Sequence, residues 1–232
     1  MAMADREDYL QRCITALSRP GVTGFLGTPD LVEDLAVLGA LEDKVVLGSM
    51  NRSGLAGARF GVDDRVTAYD PAGIVAARLD GGKMLLRIDL DDPATPAMLE
   101  RAGRLVSELA AVEKIAVIEP FMATSSPAGP VNALDAEAII RSITIASALG
   151  NTSARTWLKI PCTADVARTV AATTLPCLML GGDVPDDPYA AVASWRDALA
   201  QPNAMGLVLG RSLLFPRDGD VAANVDRIVE VL

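Results

Sequence analysis

The amino-acid sequence predicts a parallel α/β barrel of the (β/α)8 type, formed as one domain over residues 1–232. Three observations lead there. Short apolar runs alternate with amphipathic runs from residue 22 to the end of the chain. The linkers between them are mostly short, which favours parallel strands joined by right-handed crossovers. The apolar residues, 50% of the chain, are mainly Ala, Val, Leu and Ile with only 4% aromatic, a mix suited to strands buried on both faces. A length of 232 residues is ordinary for one such barrel.

Taken in order, Asp5–Ser18 has helical spacing, with Tyr9, Leu10, Cys13, Ile14 and Leu17 on one stripe. Strands are predicted at Val22–Leu26, Lys44–Ser49, Lys83–Asp89, Lys114–Glu119, Thr156–Ile160, Pro176–Leu180 and Met205–Leu209. The helices between them are Pro29–Leu41, Pro71–Leu79, Pro96–Val112, Asp135–Leu149, Ala164–Thr173 and Pro188–Leu199, and Val221–Leu232 closes the chain. Two connections are long, Met50–Asp70 and Met122–Leu134. Both follow strands on the C-terminal side, where barrel enzymes carry their active sites, and the glycines at 54, 57 and 61 suit the first to be a lid. There is no repeat, low-complexity segment or domain linker.

Composition excludes several function classes. A net charge of −9 disfavours nucleic acids and anionic membrane surfaces as partners. No apolar run reaches the roughly 18 residues of a membrane span, and Met1–Leu10 lacks the apolar segment of a signal peptide. Cys13, Cys162 and Cys177 are odd in number and lack CxxC spacing, so reduced thiols in a cytoplasmic protein are expected. Histidine is absent, which removes Ser-His-Asp triads, Cys-His pairs and His-ligated zinc. No metal site or cofactor is expected, and acid–base chemistry falls to carboxylates, lysine, tyrosine, cysteine or water.

Only four of the 21 basic residues are lysines. Lys44, Lys83 and Lys114 each stand just before an apolar run, at strand starts, and read as residues of the barrel's stability face. Lys159 lies inside Thr156-Trp-Leu-Lys159-Ile-Pro161, near the C-terminal end of its strand. Dehydration there lowers a lysine's pKa from about 10.4 towards the ~7–8 that suits a nucleophilic amine. A neutral amine attacks a carbonyl, and the resulting imine is an electron sink for C–C cleavage. Arg87 and Arg211 are candidates to add positive charge nearby. On spacing alone, a lysine snorkelling at a strand end or paired with Glu119 fits equally well.

Three segments carry a family resemblance. Leu158-Lys159-Ile-Pro-Cys-Thr163-Ala-Asp165 resembles the Lys-x-x-x-Thr-x-Asp segment of DhnA-type class I aldolases. Leu180-Gly181-Gly182-Asp183 matches the glycine pair that follows that family's seventh strand. Gly206-Leu-Val-Leu-Gly210-Arg211-Ser212-Leu-Leu-Phe215 is similar to its Val-Gly-Arg-Asn-Ile-Phe end of the eighth strand. Order and spacing agree over Thr156–Phe215, and the chain looks closest to a deoxyribose-phosphate aldolase-like bacterial subgroup associated with inositol catabolism. The resemblance implies a cytoplasmic, metal-independent homo-oligomer acting on a small phosphorylated substrate, with Lys159 as Schiff-base lysine. It maps the phosphate site onto Gly181, Gly182, Gly210 and Arg211. Glycines admit backbone N–H groups to an anion, and an arginine fork holds two of its oxygens.

Glu119, in Ile118-Glu119-Pro120, stands where the family has a catalytic tyrosine. A carboxyl in an apolar barrel mouth is expected to have a raised pKa and to shuttle protons; an ion pair with Lys159 or Arg87 is the alternative. Arg87, Asp89, Asn51 and Arg52 end or follow strands and are further candidates to read substrate hydroxyls or a carboxylate. The family's first strand, which bears an aspartate facing the site, has no counterpart here. The seven strands then correspond to strands 2–8, with an open seam between Val22–Leu26 and Met205–Leu209 and low activity unless an upstream strand is restored. The leading expectation is an aldolase for a phosphorylated sugar or related keto acid. A catalytically weak paralogue binding a phosphorylated metabolite, and a phosphosugar isomerase or epimerase, stay open beside it.

Overall fold

The computed structural model of the chain describes residues 5–51, 64–126, 129–181 and 188–230. Helix α1 (Arg6–Leu17) leads into β1 (Gly24–Gly27), α2 (Pro29–Val37), β2 (Val45–Ser49) and α3 (Pro71–Ala76). Then come β3 (Gly81–Ile88), α4 (Thr95–Ala111), β4 (Ile115–Thr124) and a two-residue β5 (Val131–Asn132). The last part holds α5 (Ala136–Ser147), β6 (Thr156–Pro161), α6 (Val166–Val170), β7 (Cys177–Leu180), α7 (Pro188–Leu199), β8 (Ala204–Val208), α8 (Arg211–Leu214) and α9 (Val221–Val229).

Helix starts are written locally. Asp5, Asp70, Asp135, Asp165 and Asp220 each accept a hydrogen bond from the backbone N–H three residues on, so five helices begin on an aspartate cap. The sheet runs β1-β2-β3-β4-β6-β7-β8, all parallel, with β5 antiparallel to β4. The seven parallel strands nearly close into a barrel. β1 and β8 end the path, and among the described residues no ladder joins them, the seam expected from the sequence.

The main core lies between the outer face of the sheet and the helices. Met84, Leu86 and Ile88 of β3, Ile118 of β4 and Leu158 and Ile160 of β6 meet Met98 and Leu109 of α4 and Ile139 and Ile143 of α5. Each of these side chains is at most 2% exposed, and burial of that kind contributes about 1.5–3 kcal/mol per large apolar side chain. A second cluster forms where α1 packs on α2, α8 and α9, with Cys13 and Leu17 against Leu35, Leu214 and Val225. Helix α1 thereby links the helices that follow the two end strands of the sheet.

The structure differs from expectation in three places. β4 runs on to Thr124 although Pro120 lacks an N–H, because Pro120–Met122 stay in register with β3 and Ala123 and Thr124 find new partners in β5. Helix α8 follows Gly210 directly. And β3 begins two residues earlier than its first lysine, which changes the reading of Lys83. Most of the lid expected at Met50–Asp70, residues 52–63, lies outside the described residues.

Candidate active site

Period-2 alternation sorts each strand into an outer and an inner row. With Met84, Ile118 and Leu158 packed against helices, Lys83, Glu119 and Lys159 belong to the inner row. The β4–β6 ladder pairs Ile118 with Leu158, so the next residues along, Glu119 and Lys159, stand side by side. The Lys159 ammonium donates to Glu119 Oε1 at 2.6 Å.

Lys83 is paired with the other oxygen, Glu119 Oε2. This corrects its assignment to the stability face. Gly81 and Gly82 already belong to β3, which carries Lys83 into the barrel. The β3–β4 ladder sets Leu85, not Lys83, beside Glu119. Lys83 is two residues below, about 6–7 Å along the strand, a span its four-carbon stem covers. The side chains of Lys83, Glu119 and Lys159 are 12%, 10% and 13% exposed.

Burial lowers the pKa of Lys159; the Glu119 carboxylate opposes this, and the like charge of Lys83 adds to it. The direction is the one expected from the strand-end position. For Glu119 the expectation of a raised value is overturned. Burial does push its pKa up, but the charges of Lys83 and then Lys159 outweigh it and hold the carboxyl below its ordinary value.

Nearer the C-terminal end of β3 lies a second charged group, built differently. The Arg87 guanidinium pairs with Asp64 at 2.9 Å, their side chains 6% and 0% exposed. The Arg87 N–H also donates to Asp64 Oδ2 at 2.9 Å. Asn51 behaves as an extra length of backbone: its amide donates to the carbonyls of Asp64 (3.1 Å) and Leu85 (2.8 Å), and its Oδ1 accepts from the Leu85 N–H at 2.8 Å. The amide of Asn51, a candidate to read substrate, ties the segment after β2 to β3. Arg87 is likewise held by a carboxylate rather than lending its charge to Lys159. Asp89 accepts from the N–H groups of Asp91 (3.1 Å) and Ser125 (2.9 Å), and these, Ser125 first, lower its pKa. These contacts fasten the end of β3 to the segment after β4. Arg52 and Gly182 lie outside the described residues.

Gly181 and Gly210 follow β7 and β8, which are neighbours in the sheet. A Cβ on Gly181 would come within 2.5 Å of Leu209 Cδ2 and 2.9 Å of Ser212 Oγ, so the side chains of the loop after β8 pack closely over this glycine. A Cβ on Gly210 would meet nothing within 4 Å. Arg211 is exposed at the first position of α8. The Ser212 hydroxyl, buried beside Gly181, has no hydrogen-bond partner among the described residues. Sequence reasoning passed over both Ser212 and Lys83. For Lys83 the signal was its even spacing from Arg87 together with the reach of its side chain.

The profile of the Cgl0159-like family matches residues 1–229. The chain belongs to the Cgl0159-like family. The crystal structure of Cgl0159 from Corynebacterium glutamicum superposes with a TM-score of 0.95 at 47% identity, covering 100% of this chain and 78% of that one. An archaeal fructose 1,6-bisphosphate aldolase superposes with a TM-score of 0.75 at 17% identity, over 98% of this chain and 83% of that one. A second structure, of an archaeal fructose-1,6-bisphosphate aldolase whose catalytic lysine is covalently bound to the carbinolamine intermediate, gives 0.75 at 16% identity, over 99% and 85%. At such identities the two aldolases show a shared barrel fold. Comparison with curated proteins found no match. Among the described residues, no helix is long and apolar enough to cross a membrane.

Proposed function

We propose that the protein is a class I aldolase that makes or breaks a C–C bond in a phosphorylated sugar or related keto acid through an imine on Lys159. The observation that carries this reading is the contact of Lys159 with Glu119 on the inner face of the barrel, near the C-terminal end of β6. Burial favours the neutral amine there, and a neutral amine is the nucleophile this chemistry needs.

The amine adds to the substrate carbonyl, and the carbinolamine loses water to give an iminium. Glu119, held as a carboxylate, removes the proton of the substrate's β-hydroxyl while the C–C bond breaks. An aldehyde leaves, and the bonding electrons pass into an enamine on Lys159. The protonated Glu119 returns its proton to the enamine carbon, and hydrolysis of the imine frees the product and the lysine. The motif resemblance supports a phosphate on the substrate held at Gly181, Gly182, Gly210 and Arg211, and the buried Ser212 hydroxyl is a further donor beside Gly181. Barrels often hold phosphate at this place. The phosphorylated substrate, the link to inositol catabolism and the homo-oligomeric state rest on the motif resemblance.

Borohydride reduction with a panel of sugar phosphates and keto acids, followed by intact mass measurement, is the test. A reduced adduct mapped to Lys159 is expected. An adduct on Lys83 instead would reassign the nucleophile, and no adduct with any carbonyl would leave a metabolite-binding barrel as the better reading.

A further inference from the structure

Glu119 is shared. A carboxylate with one counter-ion is neutralised, whereas here one buried carboxylate meets two lysine side chains, one on each oxygen. With all three groups ionised the cluster carries a net positive charge in a site that is about nine-tenths buried. The charged groups acting on Lys159 come from two strands. β4 contributes Glu119 and β3 contributes Lys83. β7, on the other side of β6, is Cys177-Leu-Met-Leu180 and brings no formal charge. Arg87, further along β3, is already matched by Asp64.

Two lysines on one carboxylate are not equivalent in position. Lys159 is fourth in β6 and level with Glu119. Lys83 is third in β3 and reaches Glu119 from the N-terminal side, beneath it. A carbonyl entering from the C-terminal mouth, where barrel enzymes bind substrate, meets Lys159 first.

We infer that Lys83 is the standing counter-ion of this site: a positioning residue that remains paired with Glu119 when Lys159 leaves it to bond to a carbonyl, so that the carboxylate is not stranded. The inference rests on the aldolase reading in taking Lys159 as the reacting amine. Two consequences follow from one charge. Like-charge repulsion from Lys83 makes the protonated form of Lys159 costlier. And when Lys159 becomes part of a carbinolamine, Glu119 still has a cation beside it and remains a base instead of capturing a proton. Without Lys83, Glu119 and Lys159 would form an ordinary one-to-one ion pair, which stabilises the unreactive ammonium.

The test uses the whole chain with four lysines, each mapped by peptide mass. Trace acetylation by acetic anhydride against an internal amine standard, over a pH series, reads the midpoint at which Lys159 becomes nucleophilic. In Lys83→Met the midpoint should rise by about one pH unit, an order of magnitude less neutral amine at a fixed pH below it. In Lys83→Arg, which keeps the charge, the midpoint should match the wild type. Lys83→Gln replaces the methionine variant if circular dichroism shows the latter unfolded. A Lys159 midpoint unchanged in the neutral variant, or moved equally by arginine, overturns the inference. Borohydride trapping on the same proteins is read separately. A midpoint shift with no adduct in the wild type would keep the coupling and remove the imine reading, whereas an adduct at Lys159 with no shift would do the reverse.

Discussion

Two charged groups sit within a few residues of each other along β3, and they are built on opposite plans. In the Arg87–Asp64–Asn51 group charge meets opposite charge: the guanidinium pairs with the Asp64 carboxylate, and among the described residues the asparagine amide gives and takes its hydrogen bonds with backbone. In the Lys83–Glu119–Lys159 group one carboxylate serves two cations. A balanced buried network rigidifies and has no further chemistry to offer. An unbalanced one holds a group that gains by losing its proton. Burial and charge alone therefore do not single out the proposed site; the sharing of Glu119 by two lysines does. The choice of residue deepens the contrast, since arginine does not release its proton in proteins and lysine does.

The largest effect should come from removing the reacting amine. Lys159→Met should abolish cleavage and borohydride adducts while circular dichroism stays that of the wild type, since a methionine fills the same inner position without charge. Retained turnover would break the comparison at its centre.

Exchanging the two carboxylates for amides sharpens it. Asp64→Asn removes the buried carboxylate that the Arg87 guanidinium meets and should cost about 3–5 kcal/mol in urea unfolding. Glu119→Gln should cost less stability, because Lys159, whose pKa burial already lowers, can shed its proton in response. It should instead lower turnover by about 10²–10⁴-fold, the usual worth of a positioned acid–base group. The reverse ranking, with Glu119 the costlier for folding and Asp64 for rate, would exchange the roles assigned here.

Smaller effects are expected where charge is exposed. Arg211→Ala should weaken phosphorylated ligands by about 1.5–3 kcal/mol and leave unphosphorylated analogues nearly unaffected, as titration calorimetry would read. Equal weakening of both would remove the phosphate role. The smallest effect is expected of EDTA, which should leave turnover unchanged; loss in EDTA restored by a divalent ion would replace the imine chemistry with metal-assisted chemistry.

Much of the barrel is legible in the chain because its determinants are local. Alternating apolar runs mark the strands, and an aspartate ahead of five helices marks where each begins. The position of Lys159 near the end of an apolar run is equally local. What the sequence by itself determined is the order of the seven parallel strands and of the helices between them, and the one lysine nearest the barrel mouth. Only the tertiary structure decided which charges are matched. Asp64 is 23 residues from Arg87, Lys159 is 40 from Glu119, and Asn51 is 34 from the Leu85 backbone it imitates. Such pairings depend on the stagger between strands and on side-chain length, which no window along one strand contains. Lys83 is the clearest case. Its neighbours in sequence make it a strand start, and two residues of stagger, bridged by a flexible stem, make it the second cation on Glu119.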